Sequence, residues 1–159
     1  MPRKFKSTRV FLRPDPRFHS KLAQQFINYI MLDGKKNTAT SIFYNAMEEI
    51  QKRLSDKNPY EVFEQCVNNV KPQIEVRSKR VGGATYQVPT EIKEKRQVTL
   101  ALRWLLIFSR KRKGKPMYLR LADELTAAYK KEGEAMSKRD NVHKMAEANK
   151  AFAHFAYHK

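Results

Sequence analysis

The sequence contains few residues that break regular structure and almost none that could cross-link the chain. Only five of the 159 residues are glycine, and they fall between helical or strand patterns, where turns are needed. Cys66 is the single cysteine, which excludes an intramolecular disulfide framework and a cysteine-based metal cluster. The longest apolar stretch, residues 98–108, is interrupted by Arg103 and is about half the length of a membrane span.

Acidic residues are also scarce. Sixteen Asp and Glu face thirty-three Lys and Arg, which gives a net charge of +17. Such an excess points to an acidic polyelectrolyte as partner, either a nucleic acid or an anionic membrane face. Because the basic N-terminus has no apolar segment behind it, we expect no secretory signal. With 41% hydrophobic residues, the chain can still build the core of one domain.

The hydrophobic periodicity predicts a mostly α-helical domain. Apolar residues recur every three or four positions in six segments, at about 20–32, 37–54, 59–71, 91–112, 117–132 and 134–153. Ser20 and Asn58 are in position to cap the first and third helices. The fourth helix is apolar nearly all round between residues 98 and 108, which predicts a central helix with Trp104 in the core.

The periodicity changes from 3.6 to 2 around Gly82-Gly83, which predicts a two-stranded β-hairpin. Such a ribbon is marginal in water alone, so we expect it to project from the helices and to be steadied by a partner. The predicted fold is therefore a single domain of six helices with a protruding hairpin and two basic tails. Its boundaries are an arm at 1–19, a domain at 20–155 that includes the ribbon at 73–89, and a tail at 156–159.

Positive charge is concentrated in one region. Nine basic residues and no acid lie between Lys95 and Ala122. Cations at a helix C-terminus favour the helix dipole, but one or two would suffice. Closely spaced cations repel each other, and phosphate groups would relieve that repulsion. The candidate phosphate contacts here are Arg110, Lys111, Arg112, Lys113 and Lys115; in the arm they are Arg3, Lys4, Lys6 and Arg9.

Lys35 and Lys36 lie just before a predicted helix N-terminus, where the helix dipole disfavours cations. A phosphate that accepts backbone N–H bonds there would offset this cost; the alternative is a solvated turn with two mobile lysines. We expect these lysines to share one surface with Arg110, Arg112 and Lys115.

The predicted hairpin carries three further cations, Arg77, Lys79 and Arg80, next to a tip of small residues. Tyr86 could stack on a base. The alternative is an ordinary amphipathic hairpin lying on the core, which would leave the cations of the ribbon unexplained.

Signals for catalysis are poor. The four histidines show no metal-ligand spacing except His154 and His158, and that pair lacks the glutamate of a zinc motif. Cys66 lies on an apolar helix face and is expected in the core. We therefore expect no enzyme, no metal and no cofactor.

Several motifs resemble the family of bacterial small-subunit ribosomal protein seven. They are Asp33-Gly34-Lys35-Lys36, the ribbon from Glu75 to Pro89, Leu102-Arg103-Trp104, and the run from Met145 to His154. The likeness extends from about Asp15 to Phe155. Pro116 departs from the family pattern, as do the arm between Phe5 and Arg13 and the last four residues.

The resemblance implies a primary binder of small-subunit ribosomal RNA that nucleates assembly of the subunit head. It implies a cytoplasmic ribosomal location near the decoding region, with ribosomal proteins nine and eleven as neighbours. Lys35, Lys36, the three ribbon cations, Arg110, Arg112, Lys115 and Met117 match the family's RNA contacts. The tip would lie beside exit-site transfer RNA and messenger RNA; its residues are Val81, Gly82, Gly83, Ala84, Thr85 and Tyr86.

Two other functions remain open from the residues alone. An architectural DNA-binding protein could insert the ribbon into a groove. An RNA-modifying enzyme would need a catalytic constellation that the sequence does not offer. Competition between double-stranded DNA and structured RNA distinguishes the first alternative, because A-form shape and 2′-hydroxyl recognition favour RNA only.

Overall fold

The first helices begin where local side-chain chemistry predicts. In the computed structural model, which describes residues 11–156, helix α1 is Lys21–Ile30, α2 is Lys36–Arg53 and α3 is Pro59–Val70. The Ser20 hydroxyl accepts the N–H of Leu22 at 3.1 Å. The Asn58 side chain accepts the N–H of Tyr60 at 3.0 Å. Both predicted caps are therefore confirmed.

The hairpin follows α3. Strands β1 (Ile74–Val81) and β2 (Ala84–Glu91) pair antiparallel, with Val81 opposite Ala84. This register leaves Gly82 and Gly83 as a two-residue turn. Their φ angles are +57° and +90°, and a turn with positive φ at both central residues matches the twist of the strands. The predicted hairpin is confirmed, and β2 continues two residues beyond the predicted ribbon.

Three helices follow: α4 is Glu94–Lys111, α5 is Met117–Tyr129 and α6 is Glu134–Ala148. The sequence predicted that the fourth helix begins near Glu91, but that residue still belongs to β2. It also predicted that the sixth reaches about residue 153. Instead α6 ends at Ala148, and Lys150–Ala156 form a 3-10 helix. The description as six helices with a hairpin is thus right except for this additional short helix.

The core is formed by helices α1 to α5 together with the first turn of α6. Phe26, Phe43 and Phe63 are fully buried there, with ring centroids 5.3–6.0 Å apart. Cys66 joins this core, and its thiol donates to the carbonyl oxygen of Leu125 at 2.9 Å. Burial raises the pKa of the Cys66 thiol to about 12, so the side chain behaves as a small apolar group.

Helix α4 is less enclosed than its apolar sequence predicts. Leu102 and Leu105 are fully buried, but Ile107 is 55% exposed. Trp104 is partly buried and packs against the core, so its predicted core position is met only in part. Helices α1, α3, α5 and α6 contact α4, but they leave Arg103, Ile107 and Arg110 exposed.

The end of the predicted arm packs against the helices. Asp15 is 1% exposed, and its carboxylate accepts the Phe18 N–H at 3.0 Å and the Tyr44 hydroxyl at 2.7 Å. The Phe18 ring stacks on Tyr60, with centroids 5.7 Å apart. Arg3, Lys4, Lys6 and Arg9 lie outside the described residues, as do residues 157–159 of the predicted tail.

The 3-10 helix supplies the support that the sequence predicted for the hairpin. The Tyr86 ring lies 5.3 Å from that of Phe152 and 5.0 Å from that of Phe155. On the opposite strand, the Lys79 ammonium donates to the Phe155 carbonyl at 2.7 Å. The support therefore comes from the same chain and not from a separate partner. The Tyr86 ring, which the sequence suggested could stack on a base, lies against two phenylalanine rings instead.

We predict that a chain ending at Asn149 keeps its helical core but loosens the hairpin. An unsupported two-stranded ribbon is marginal in water, whereas the buried phenylalanines do not touch the 3-10 helix. Backbone amides between residues 78 and 87 should exchange with solvent markedly faster, and those of α1–α3 should be unchanged. Phe152→Leu, which keeps an apolar side chain, should have an intermediate effect. Unchanged exchange in the hairpin would contradict this prediction.

Candidate nucleic-acid interface

The turn before α2 presents two lysines. Asp33 and Gly34 adopt positive φ angles of 51° and 72°, and the Lys35 N–H donates to the Leu32 carbonyl at 2.9 Å. No side chain caps α2 and its first turn contains no acid. Lys35 and Lys36 are both exposed. The positive end of the helix dipole and two ammonium groups therefore face solvent together, an arrangement suited to phosphate.

Two other segments converge on this turn. The Arg110 guanidinium, at the end of α4, donates to the carbonyl of Ile30, the last residue of α1, at 3.1 Å. Arg13 lines a small cavity of about 190 Å³ together with Lys36. We call Arg13, Lys35, Lys36 and Arg110 the helix-end cluster. Its members come from three separate parts of the chain.

The remaining cations after α4 do not all face the same way. Lys115 pairs with Asp123 at 3.2 Å, and Asp123 also binds Arg53, the last residue of α2, at 2.7 Å. Helix α2 has eighteen residues, so its two ends are roughly 27 Å apart. Arg110 therefore lies by the Lys35 turn, whereas Lys115 is directed toward the other end of α2. Whether one RNA junction reaches both stays a prediction.

The Arg112 guanidinium is directed toward a buried acid, and the side chain remains 35% exposed. Its guanidinium donates twice to the carboxylate of Glu124, at 2.6 and 3.1 Å, and Glu124 is fully buried. Lys111 pairs with Glu134 on the surface at 3.0 Å. Lys113 is exposed and has no ionic partner within residues 11–156. Met117 begins α5 and packs against the core.

In the hairpin too, a carboxylate pairs with some cations and leaves others unpaired. Glu75 is 8% exposed and accepts hydrogen bonds from both Arg77 and Arg96, so it ties the base of the hairpin to α4. Arg80 and the residues from Gly82 to Thr85 are exposed. The exposed tip of the hairpin thus consists of one arginine and small side chains.

Two anchoring residues were not singled out from the sequence. The Arg120 guanidinium donates to the carbonyls of Arg110 and Arg112, at 3.2 and 2.6 Å. Glu124 could have been noticed, because it lies between Leu121, Leu125 and Ala128 on the apolar face of α5. A carboxylate in such a position needs a buried cationic partner. No local signal shows that this partner is Arg112.

The His143 Nε2 atom accepts the backbone N–H of Gln73 at 3.1 Å, just before the first strand of the hairpin. Within the described residues, no group of side chains could hold a metal ion. No helix in this part of the chain is long and apolar enough to cross a membrane.

Comparison with known proteins assigns this chain to a family. The model of the family described as ribosomal protein S7p/S5e matches residues 2–150. The chain belongs to this family. The small ribosomal subunit protein uS7 of Rhodopirellula baltica is 60% identical over 152 residues, covering 95% of this chain and 97% of that protein. The uS7 proteins of Pelagibacter ubique and Cytophaga hutchinsonii are 52% and 49% identical, each covering at least 98% of both chains.

Family membership confirms several predictions. The chain is a ribosomal protein of the small subunit, located in the cytoplasmic ribosome, and it is a structural protein, not an enzyme. A role in ribosomal RNA binding and translation agrees with this membership. The resemblance drawn from the ribbon and from the run at residues 145–154 is therefore correct.

We predict that Glu75 makes folding sensitive to acid. Burial opposes ionisation, but hydrogen bonds from Arg96 and Arg77 outweigh it, so the pKa of Glu75 is lowered. A carboxyl with a depressed pKa contributes stability above its unfolded pKa, and that contribution is lost as pH falls through the folded pKa. It amounts to about 1 kcal/mol or less, because both arginines are at least half-exposed.

The measurement is urea unfolding between pH 3 and 6, a window of about one to two units around the usual glutamate pKa. Glu75→Gln should show a shallower loss of stability on acidification than the unchanged chain. Glu64→Gln, which alters an exposed residue of α3, serves as the matched control and should keep the original slope. Identical slopes for Glu75→Gln and the unchanged chain would contradict the prediction.

Proposed function

We propose that this protein is a primary binder of small-subunit ribosomal RNA and nucleates assembly of the subunit head. The observation that carries the proposal is the helix-end cluster. Lys35 and Lys36 lie at the uncapped N-terminus of α2, Arg13 lines a cavity with Lys36, and Arg110 binds the last residue of α1, five residues before Lys35. Phosphates accept hydrogen bonds from such a terminus and are neutralised by the surrounding cations. Membership of the S7p/S5e family makes ribosomal RNA the natural ligand.

The hairpin has a second role in this proposal. Each strand has eight residues, which at about 3.3 Å per residue gives a reach of roughly 26 Å. The 3-10 helix holds the hairpin as far as the Lys79–Tyr86 pair. Only the last two pairs and the Gly-Gly turn extend beyond this support, and they present small exposed residues and Arg80. A narrow tip of this kind can approach a nucleic-acid backbone closely. We propose that it lies beside exit-site transfer RNA and messenger RNA near the decoding region, with ribosomal proteins nine and eleven as neighbours.

The candidate RNA-binding cations form two groups, according to whether a carboxylate of the same chain pairs with them. Lys35, Lys36, Arg110, Lys113 and Arg80 offer charge that no carboxylate of the described chain neutralises. Lys111, Lys115 and Arg77 share their charge with an acid of the same chain. The first group should therefore supply most of the affinity. Footprinting on protein-free small-subunit ribosomal RNA tests the location of the site.

We predict that Lys35→Gln/Lys36→Gln weakens RNA binding and lowers its salt dependence. Each lost phosphate contact reduces the slope of log K against log salt by about one unit. The fold should be unaffected, because exposed charges contribute little to stability. The control is Lys138→Gln/Lys144→Gln, which removes the same charge from exposed positions of α6. Equal losses of affinity in the two variants would reduce the effect to net charge and contradict a specific site.

A second prediction separates the tip from the body. Deletion of Arg80, Val81, Ala84 and Thr85 removes two cross-strand pairs and joins the Lys79–Tyr86 pair to the existing Gly-Gly turn. Because two residues leave each strand, the remaining side chains keep their faces. Affinity for isolated ribosomal RNA should fall only slightly, whereas retention of exit-site transfer RNA by reconstituted subunits should fall clearly.

The single substitution Arg80→Ala is the control for this deletion. It removes the charge of Arg80 but keeps the full length of the hairpin. If the shortened protein no longer bound ribosomal RNA, the hairpin would be a principal anchor and not an accessory. Retention of transfer RNA at the unchanged level would show instead that the tip is dispensable there.

A further inference from the structure

The buried carboxylate of Glu124 connects three segments around the basic residues that follow α4. One oxygen accepts two N–H bonds from Arg112, at 2.6 and 3.1 Å. The other accepts the backbone N–H of Ala135, in the first turn of α6, at 3.0 Å. Glu124 itself is in α5 and has no exposed surface. A buried carboxylate without partners would be strongly unfavourable, so these hydrogen bonds are needed to keep Glu124 charged inside the protein.

Glu124 packs closely against the backbone of the turn before α6. Gly133, the residue before α6, has a φ of +94°, and a Cβ atom there would lie 3.2 Å from a Glu124 oxygen and 3.1 Å from the Ala127 methyl. The carboxylate thus occupies space that a side chain at position 133 would need. Arg112 is therefore bound to an acid that is itself buried and closely packed.

A second side chain of α5 holds the same turn. Arg120 donates to the carbonyl oxygens of Arg110 and Arg112, which lie at the end of α4 where carbonyl groups lack helical partners. Arg112 is extended, with φ −62° and ψ 143°. Both its side chain and its carbonyl are therefore fixed. The direction in which the backbone enters Lys113 is therefore fixed by two side chains of α5, Glu124 and Arg120.

We infer that Glu124 is a positioning residue for RNA binding: through Arg112 it orders the exposed turn that carries Lys113 before any RNA arrives. The inference rests on the function proposed above. It assigns Arg112 to the support of the RNA-binding surface, not to direct phosphate contact. An ordered turn loses less conformational entropy on binding than a mobile one, and affinity is gained accordingly.

The test is Glu124→Gln, for which simple electrostatics and positioning predict opposite results. The substitution removes a negative charge, so net charge alone would tighten RNA binding. Glutamine keeps the size and can still accept the Ala135 N–H, but its amide cannot neutralise the Arg112 guanidinium. We expect the dissociation constant for protein-free small-subunit ribosomal RNA to rise about tenfold, the effect of ordering roughly one more residue on binding.

The salt dependence distinguishes positioning from direct contact. If Glu124→Gln only loosens the turn, the same phosphates are still reached, and the slope of log K against log salt stays unchanged. Lys113→Gln should lower that slope by about one unit. Amide exchange at residues 112–115 of the free protein should accelerate in Glu124→Gln but not in Lys113→Gln. The matched control is Glu64→Gln, an equal charge change on the surface of α3, which should not weaken binding.

Arg112→Lys keeps the inference testable if Glu124→Gln fails to fold. Lysine retains the charge but lacks the two-pronged donor, so a phosphate contact would survive largely intact, whereas positioning would weaken. Unchanged affinity in a folded Glu124→Gln or Arg112→Lys protein, with faster exchange in the turn, would overturn the inference. If Lys35→Gln/Lys36→Gln and Lys113→Gln also left binding unchanged, the proposed function itself would fail.

Discussion

Repulsion among thirty-three cations is the constraint to which the rest of the structure responds. The chain has few acids, and three of them each bind two partners inside or at the edge of the fold. Glu75 holds Arg77 and Arg96, Asp123 holds Arg53 and Lys115, and Glu124 holds Arg112 and the start of α6. Burial penalises ionisation of Glu75 and Asp123, yet their cationic neighbours lower both pKa values. Glu75 and Asp123 therefore stay charged, and all three side chains fix where their cationic partners lie.

Much of the fold follows from short-range chemistry, and that part could be predicted. Ser20 and Asn58 start helices because their side chains accept nearby N–H groups. Gly82 and Gly83 turn the chain because both take positive φ. The end of α6 depends instead on distant contacts. Phe152 and Phe155 turn toward Tyr86, and no periodicity within residues 134–156 contains that information.

The candidate site was predictable in composition but not in orientation. The density of cations between Lys95 and Ala122 pointed to phosphate, and the family shown by comparison agrees with it. Adjacent cations nevertheless have different surroundings. Arg112 is bound to a buried acid, while its neighbour Lys113 has no ionic partner among the described residues. The choice depends on which acids the fold brings near, and in this region those acids lie between eight and twenty-three residues away.

This sorting explains how one small domain can be both stable and strongly basic. Cations that face inward are neutralised by the chain and contribute to folding. Those that face outward remain uncompensated until an acidic partner binds, so their mutual repulsion is relieved by binding. Because the inward set fixes the turns that carry the outward set, stability and recognition share the same elements. Under the role inferred for Glu124, the Glu124→Gln substitution should therefore change recognition without altering any residue of the proposed recognition surface.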